Sequence, residues 1–418
     1  MLRSLSPIYC DNGTRVPYLG MCRKGILAMS KMLRCALSIL LALSSLLIFS
    51  LTAYARPSVE EAEKSLSIAE LSAQSAVLTD ENGNILFEKD AHRRMGPAST
   101  TKIMTALTVL SLCQPDDTVT IPREAVGVEG SSVYLCEGEA LTVAELLYAL
   151  LLASANDAAV ALALFSADSV ENFCQKMNEK AASLGLSNTH FTNPHGLYDE
   201  AHYTTAHDLA IITAAALKEP LFRQIVSTYK TTIPLGGSDG TRVLVNHNKL
   251  LRLYDGCIGV KTGFTKKTGR TLVSAAERDG LLLIAVTLDA PNDWNDHAKL
   301  LDYGFANYAC LTLFQAGDVV SSFPVCGGQD TYVALCALSP ISLIVSKEHG
   351  EISYTVESYG HFLYAPIQKG DSVARAVCRY DGHVYSAELL VASDVARDIP
   401  TKKGPLYRLL HFFSSDSE

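Results

Sequence analysis

The sequence predicts an α/β (α+β) domain, with an antiparallel sheet and a helical block, followed by a small all-β domain. Three observations carry this expectation. Hairpin signals near residue 80 and again near residue 280 bracket a long helical stretch, so the first hairpin can join the later strands in one sheet. Beyond about Leu311, alternation with period two replaces the helical period. A chain of 418 residues also exceeds one ordinary core, which makes two domains the default.

Taken in order, residues 1–55 read as an export signal. Lys31 and Arg34 precede an uncharged run over 35–53, and Ala53-Tyr54-Ala55 places small residues two apart, ahead of Arg56-Pro57. The run is long enough to cross a bilayer, so a retained anchor is the alternative. Residues 1–28 are polar and mixed, which makes Met29 or Met32 a better start. The first folded domain is expected over 59–310. Within it, 75–79 and 85–88 flank Asn82-Gly83 as a hairpin, and a helix follows over 99–112. The stretches 141–153 and 158–166 are apolar nearly all round and read as buried helices. Val170, Phe173, Met177 and Ala181 recur at helical spacing up to Gly185. Thr205, three before Asp208, caps a helix to about Leu217. Residues 271–276 and 281–288 flank Asp279-Gly280 as a central hairpin, and 300–308 closes the domain as a helix.

The all-β domain is expected over 312–398. There Ile352, Tyr354 and Val356 alternate with polar residues, and 373–380 and 383–391 flank Asp381-Gly382. Residues 400–418 form a short amphipathic tail: Leu406, Leu409, Leu410 and Phe413 share one helical face behind Lys402-Lys403. Such a tail suits a membrane surface and is too short to span one; packing on the β domain is the alternative.

Charge excludes one class of partner. The net charge is −9, and removal of residues 1–55 leaves 29 basic against 43 acidic residues, a net of −14. No basic tract suggests nucleic acid. Of the eleven cysteines, Cys10, Cys22 and Cys35 precede the cleavage point, and the other eight are scattered without metal-site spacing. They read as small buried hydrophobes, with disulfide pairing left open outside the cytoplasm. Asp199, Glu200, His202 and His207 crowd together, but their spacing fits no metal site.

The chemistry lies in three short elements: Ser99-Thr100-Thr101-Lys102, Ser154-Ala155-Asn156 and Lys261-Thr262-Gly263. Ser99 follows Gly96-Pro97-Ala98 and opens a helix, where free N–H groups favour developing negative charge. Lys102, one turn along, returns to the same face. A serine needs a base, and a lysine is one only if burial or a second cation, for which Lys261 is the candidate, lowers its pKa. Ser154 and Asn156 sit in the break between two buried helices, where Asp157 can cap the second. Lys261, Thr262 and Gly263 lie on a strand; alternation points Thr262 away from the other two unless the strand is twisted or at an edge. Gly263 permits close backbone approach. Ser227-Thr228-Tyr229-Lys230 repeats the Ser-x-x-Lys spacing, with nothing catalytic around it.

S-x-x-K, S-D-N and K-T-G are a set known from β-lactamases and penicillin-binding proteins. With these spacings the chain resembles the low-molecular-mass penicillin-binding proteins, the serine-type D-alanyl-D-alanine carboxypeptidase family. The likeness extends to 97–107, Asn193-Pro194-His195-Gly196-Leu197, Tyr203-Thr204-Thr205-Ala206, 246–251 and 300–305. The resemblance implies a carboxypeptidase that removes the terminal D-alanine from peptidoglycan stem pentapeptides through an acyl-enzyme and is inhibited by β-lactams. It implies Ser99 as nucleophile, Lys102 as base and Ser154 as proton relay. Asn156 would hold the substrate amide, and Lys261 and Thr262 the terminal carboxylate. The N–H groups of Ser99 and Phe264 would form the oxyanion hole, with His195 on a loop at the cleft edge. It implies no cofactor and no metal. His190, His207 and His297 read as structural.

Two departures from the family stand out: Ala155 where many relatives carry glycine, and Trp294-Asn295-Asp296 where many carry an arginine. Within the same motifs the alternatives are a β-lactamase, for which no deacylating glutamate is evident between Ser154 and Lys261, or a D,D-endopeptidase. A catalytically silent wall-binding protein would need a broken motif set. Localisation is expected outside the cytoplasm, on the outer face of the membrane.

Overall fold

The computed structural model describes residues 65–236 and 239–398. The expected export signal and amphipathic tail lie outside the described residues. Strand β1 (Ser75–Asp80) turns into β2 (Ile85–Lys89), with the Asp80 carboxylate accepting from the N–H groups of Asn82 and Asn84. A 3-10 turn over Ala98–Thr101 leads into helix α1 (Lys102–Leu112), whose first eight residues are buried.

Strands β3 (Thr118–Thr120) and β4 (Ala140–Thr142) pair ahead of α2 (Val143–Leu152). The helix expected from 141 thus starts at Val143, because Thr142 and Glu145 close a capping box there. Helices α3 (Asn156–Ala167), α4 (Val170–Ser183) and α5 (Ala206–Leu217) follow, and Thr205 caps α5 by accepting from the Asp208 N–H. Helix α6 (Pro220–Ser227), the β5–β6 hairpin (Lys230–Pro234, Thr241–Val245) and α7 (Leu250–Leu253) are not among the elements expected from the sequence, although Phe222, Ile225 and Val226 of α6 are buried at helical spacing. Each is short, and the hairpin strands bury only one residue apiece.

Strands β7 (Cys257–Thr265), β8 (Gly269–Arg278) and β9 (Leu281–Leu288) complete an antiparallel sheet in the order β2-β1-β9-β8-β7. The N-terminal hairpin joins the later strands through β1 and β9. Helix α8 (Asp293–Asn307) starts at Asp293, not Leu300; acidic Asp293 and Asp296 in its first turn suit a helix N-terminus but carry no apolar period.

The sheet is covered on both faces. Val77, Val273, Ile284 and Val286 join the core of the helical block, whereas Leu78, Leu283 and Ala285 pack with Leu300 and Leu301 of α8. Burial on both sides explains why β9 is apolar throughout except at Thr287, whose hydroxyl meets the buried His297. At its β7 edge, with Thr271 of the neighbouring β8, this sheet meets the 3-10 turn that carries Ser99.

Strand β10 (Tyr308–Phe314) leaves α8 directly and pairs with β13 (Ile341–Ser346), so the expected boundary near Leu311 falls inside a strand. Strands β11 (Val319–Cys326), β12 (Tyr332–Ala337), β14 (Tyr354–Ser358), β15 (Leu363–Tyr364), β16 (Ser372–Tyr380) and β17 (His383–Val391) form a six-stranded sheet. It has its own core, including Leu335, Leu343, Ala376 and Leu389. Among the described residues no helix is long and apolar enough to cross a membrane.

Candidate active site

Three segments converge on Ser99. The first is the turn that carries it. Ala98 adopts a left-handed conformation (φ +51°), a conformation that costs a non-glycine residue about 1–2 kcal/mol and must be held by its surroundings. Pro97 O accepts from the Thr100 hydroxyl (2.6 Å) and the Thr271 hydroxyl (3.0 Å), and Ala98 O accepts from the Thr101 hydroxyl (2.8 Å). Two glycines close the turn from outside. A Cβ on Gly196, itself at φ +89°, would lie 1.9 Å from Ala98 O, and one on Gly263 would lie 2.9 Å from the Ser99 N. Neither position tolerates a side chain without displacing the backbone around Ser99. At Gly263 the close approach expected of a substrate is made by the chain's own Ser99.

The second segment surrounds Lys102, which is fully buried at the start of α1. Its Nζ lies 3.1 Å from Ser99 Oγ, 2.7 Å from Asn156 Oδ1 and 2.6 Å from His195 O. Burial pushes the Lys102 ammonium well below its ordinary pKa, and the charge of Lys261 pushes it further, as the sequence suggested. A neutral amine has two N–H donors and one lone pair. The Asn156 and His195 oxygens can only accept, so they take both donors. The lone pair is left for the Ser99 hydroxyl.

Ser154 is buried with φ +59° in the break between α2 and α3. Asn156 opens α3 and spends its other end donating to Glu129 O (2.6 Å). Asp157 does not cap that helix: Ala155 is the N-cap and makes no side-chain cap bond. The Asp157 carboxylate takes one first-turn N–H, that of Ala158 (3.0 Å), and otherwise accepts from Ser132 Oγ (2.6 Å) and the N–H groups of Val133 and Leu135 (3.1 Å each), fixing the loop that carries Glu129 O. This loop is clamped again by the buried ion pair of Glu139 with Arg242.

The third segment is β7. It is the edge strand, the arrangement that lets neighbouring motif residues reach one cleft. Lys261 is buried with its Nζ 2.8 Å from Thr262 O, and burial lowers its pKa to about 7. Thr262 is half-buried, and the Phe264 side chain is exposed. His195 reaches the site through its main chain. Asn193 Oδ1 accepts from the His195 and Gly196 N–H groups, so the loop presents His195 O to Lys102. Burial, then the charges of Lys102 and His202, lower the His195 pKa to about 3, and its Nδ1 accepts from the Leu197 N–H.

His297 is a buried strut between the Ser274 and Thr287 hydroxyls, as its structural reading requires. In the 294–296 stretch the Trp294 ring lies 5.8 Å from Arg270 and 6.0 Å from Lys249, and Arg270 is paired with Asp293 at 2.9 Å. Sequence reasoning passed over Thr271 and the Glu139–Arg242 pair, since neither belongs to a motif. Among the described residues no group of three His, Cys, Asp or Glu could hold a metal ion.

Residues 60–292 match the family model described as D-alanyl-D-alanine carboxypeptidase, and 308–397 match that of the penicillin-binding protein 5 C-terminal domain. The chain is 34% identical over 369 residues to D-alanyl-D-alanine carboxypeptidase DacF of Bacillus subtilis, covering 86% of this chain and 93% of the relative. It is 34% identical over 356 residues to DacA of Haemophilus influenzae, covering 81% and 89%. The solved structure of penicillin binding protein 5 from Haemophilus influenzae superposes with a TM-score of 0.62 at 32% identity, covering 80% of this chain and all of that one. The DD-transpeptidase of Streptomyces K15 superposes with a TM-score of 0.54 at 37% identity, covering 56% and 98%.

Proposed function

Because this chain belongs to the D-alanyl-D-alanine carboxypeptidase family, we propose that Ser99 is the residue it acylates and Lys102 the base that activates it. The chain is a serine-type D-alanyl-D-alanine carboxypeptidase, and its family acts on peptidoglycan peptides and binds β-lactams. One observation carries the residue roles: of the three groups around the Lys102 amine, only the Ser99 hydroxyl has a proton to give. Ser99 Oγ attacks the penultimate carbonyl as its proton passes to Lys102 Nζ. The developing oxyanion sits between the N–H groups of Ser99 and Phe264, which Gly263 allows to approach. Ser154 relays the proton to the departing D-alanine, and water then hydrolyses the ester. Asn156 positions both Lys102 and the substrate amide. Lys261 and Thr262 take the terminal carboxylate, the group that distinguishes a chain end from an internal bond.

The test is D-alanine release from a peptide ending in D-Ala-D-Ala, set against its C-terminal amide. Equal cleavage of both would place the endopeptidase reading ahead. Penicillin is expected to leave a single, slowly released adduct, read by intact mass; an adduct persisting in Ser99→Ala would overturn the nucleophile assignment.

The division into a peptidase unit at 59–310 and an all-β unit at 312–398 is supported by the two family matches and the separate cores. Action outside the cytoplasm follows from the substrate. Membrane attachment through 405–413, after cleavage near Arg56, rests on sequence pattern. Deletion of 400–418 should move the protein to the soluble fraction with peptidase activity intact; unchanged fractionation would reject the tail as anchor.

A further inference from the structure

No step above uses His202, although it lies in the wall of the nucleophile turn. It is 4% exposed and packs edge-on against Phe191, with ring centroids 5.6 Å apart. Its Nδ1 accepts from the Thr192 N–H at 3.0 Å, so the proton of the neutral ring resides on Nε2. That N–H points at Thr101 Oγ1, 2.8 Å away. With an acceptor role imposed on it from this side, the Thr101 hydroxyl directs its only proton to Ala98 O at 2.8 Å. The result is a line in which each group donates to the next, from the Thr192 amide through the imidazole and the Thr101 hydroxyl to the accepting Ala98 carbonyl, with the Thr192 hydroxyl also 3.4 Å from Nδ1. It ends on the residue before the nucleophile, at the one point of the turn with left-handed backbone. Protonating the ring would set an Nδ1–H against the Thr192 N–H. Burial opposes this and lowers the His202 pKa to about 4, with Asp199 pulling only partly the other way.

We infer that His202 is a positioning residue for acylation: through Thr101 it locks the Ala98 carbonyl, and so keeps Ser99 Oγ in line with Lys102. The inference rests on Ser99 as the nucleophile. A group acting only on the geometry of attack changes kcat and leaves substrate capture by Lys261 and Thr262 alone. His202→Leu should therefore lower kcat by about tenfold to a hundredfold, the scale of a misplacement of about 1 Å, with KM changed by less than about twofold. Thr101→Val removes the same link at constant volume and should act alike, and the double variant should be no slower than the slower single. His202→Gln restores an amide N–H near the Nε2 position and should recover most of kcat.

The experiment measures kcat and KM on a D-Ala-D-Ala peptide, the penicillin acylation rate, the adduct position by peptide mass, and melting temperature for each purified variant. An unchanged acylation rate in folded Thr101→Val, with the adduct on Ser99, rejects the inference and leaves the nucleophile reading standing. Losses that simply add in the double variant, or that track melting temperature with no rescue by Gln, reject it too and make His202 a packing residue. An adduct elsewhere in the wild type rejects both readings.

Discussion

Two stretches of this chain spell Ser-x-x-Lys, at 99–102 and at 227–230. In the first, a 3-10 turn passes directly into a helix, so the lysine returns beneath the serine and is sealed from water. In the second, Ser227 ends α6 with its hydroxyl donating to Arg223 O and Ile258 O, and the chain then extends into β5 with Lys230 in solvent. The serine of one copy is offered to a base; that of the other is tied to carbonyls, which cannot take its proton. A four-residue spacing becomes chemistry only when the helix continues through it and the interior desolvates the amine.

This contrast can be broken by substitution. The largest effect is expected from Ser99→Ala, which should cut D-alanine release about 10⁴-fold or more, whereas Ser227→Ala leaves it unchanged. Any comparable loss at Ser227 would dissolve the distinction. Next comes the lysine. Lys102→Arg keeps a cation but cannot give up its proton, so kcat/KM should fall about 10²- to 10⁴-fold, with Lys230→Arg silent. Retained activity in Lys102→Arg would mean that position needs charge and not basicity.

Lys261→Met comes third and should weaken transition-state binding by about 2–4 kcal/mol, measured as kcat/KM. It also removes a charge that lowers the Lys102 pKa, so the rising limb of the pH–rate profile should move to higher pH. The same variant has a signature in stability. The Lys261 pKa is about 7 when folded, against about 10.4 in an unfolded chain. Between these values the unfolded chain binds the extra proton, so wild-type stability relative to Lys261→Met should rise as pH climbs through that window. A flat difference in melting temperature from pH 7 to 10 would contradict the buried-lysine account. Thr262→Val should matter least, about 1 kcal/mol in kcat/KM, for one hydrogen bond to the carboxylate.

The two stretches also mark how far sequence alone reached. Ser99, Lys102, Asn156 and Lys261 were legible because motif spacing and local helix logic agree, and the sheet was legible through Asp279-Gly280 and the run of β9. Three features could not be read. Asp157 looked like a cap because acids favour helix starts; it takes only the adjacent Ala158 N–H of the helix, and its other partners, Ser132, Val133 and Leu135, lie more than twenty residues away, a distance no local rule spans. His195 was expected only on a loop at the cleft edge; that its carbonyl meets Lys102 is a consequence of the Asn193 turn, which no side-chain pattern encodes. The β5–β6 hairpin was missed because its strands bury so little, although Arg242 on it braces the loop behind Asn156.

The glycine pressed against Ala98 has a consequence for heredity. Every single-nucleotide change that alters Gly196 adds a side chain whose first carbon would occupy the space of Ala98 O. A lineage under selection by a β-lactam can therefore remodel the Ser99 turn from this side only through changes that displace the Ala98 backbone. The open routes lie where contacts are made by long or exposed side chains, such as Phe264 at the mouth of the cleft.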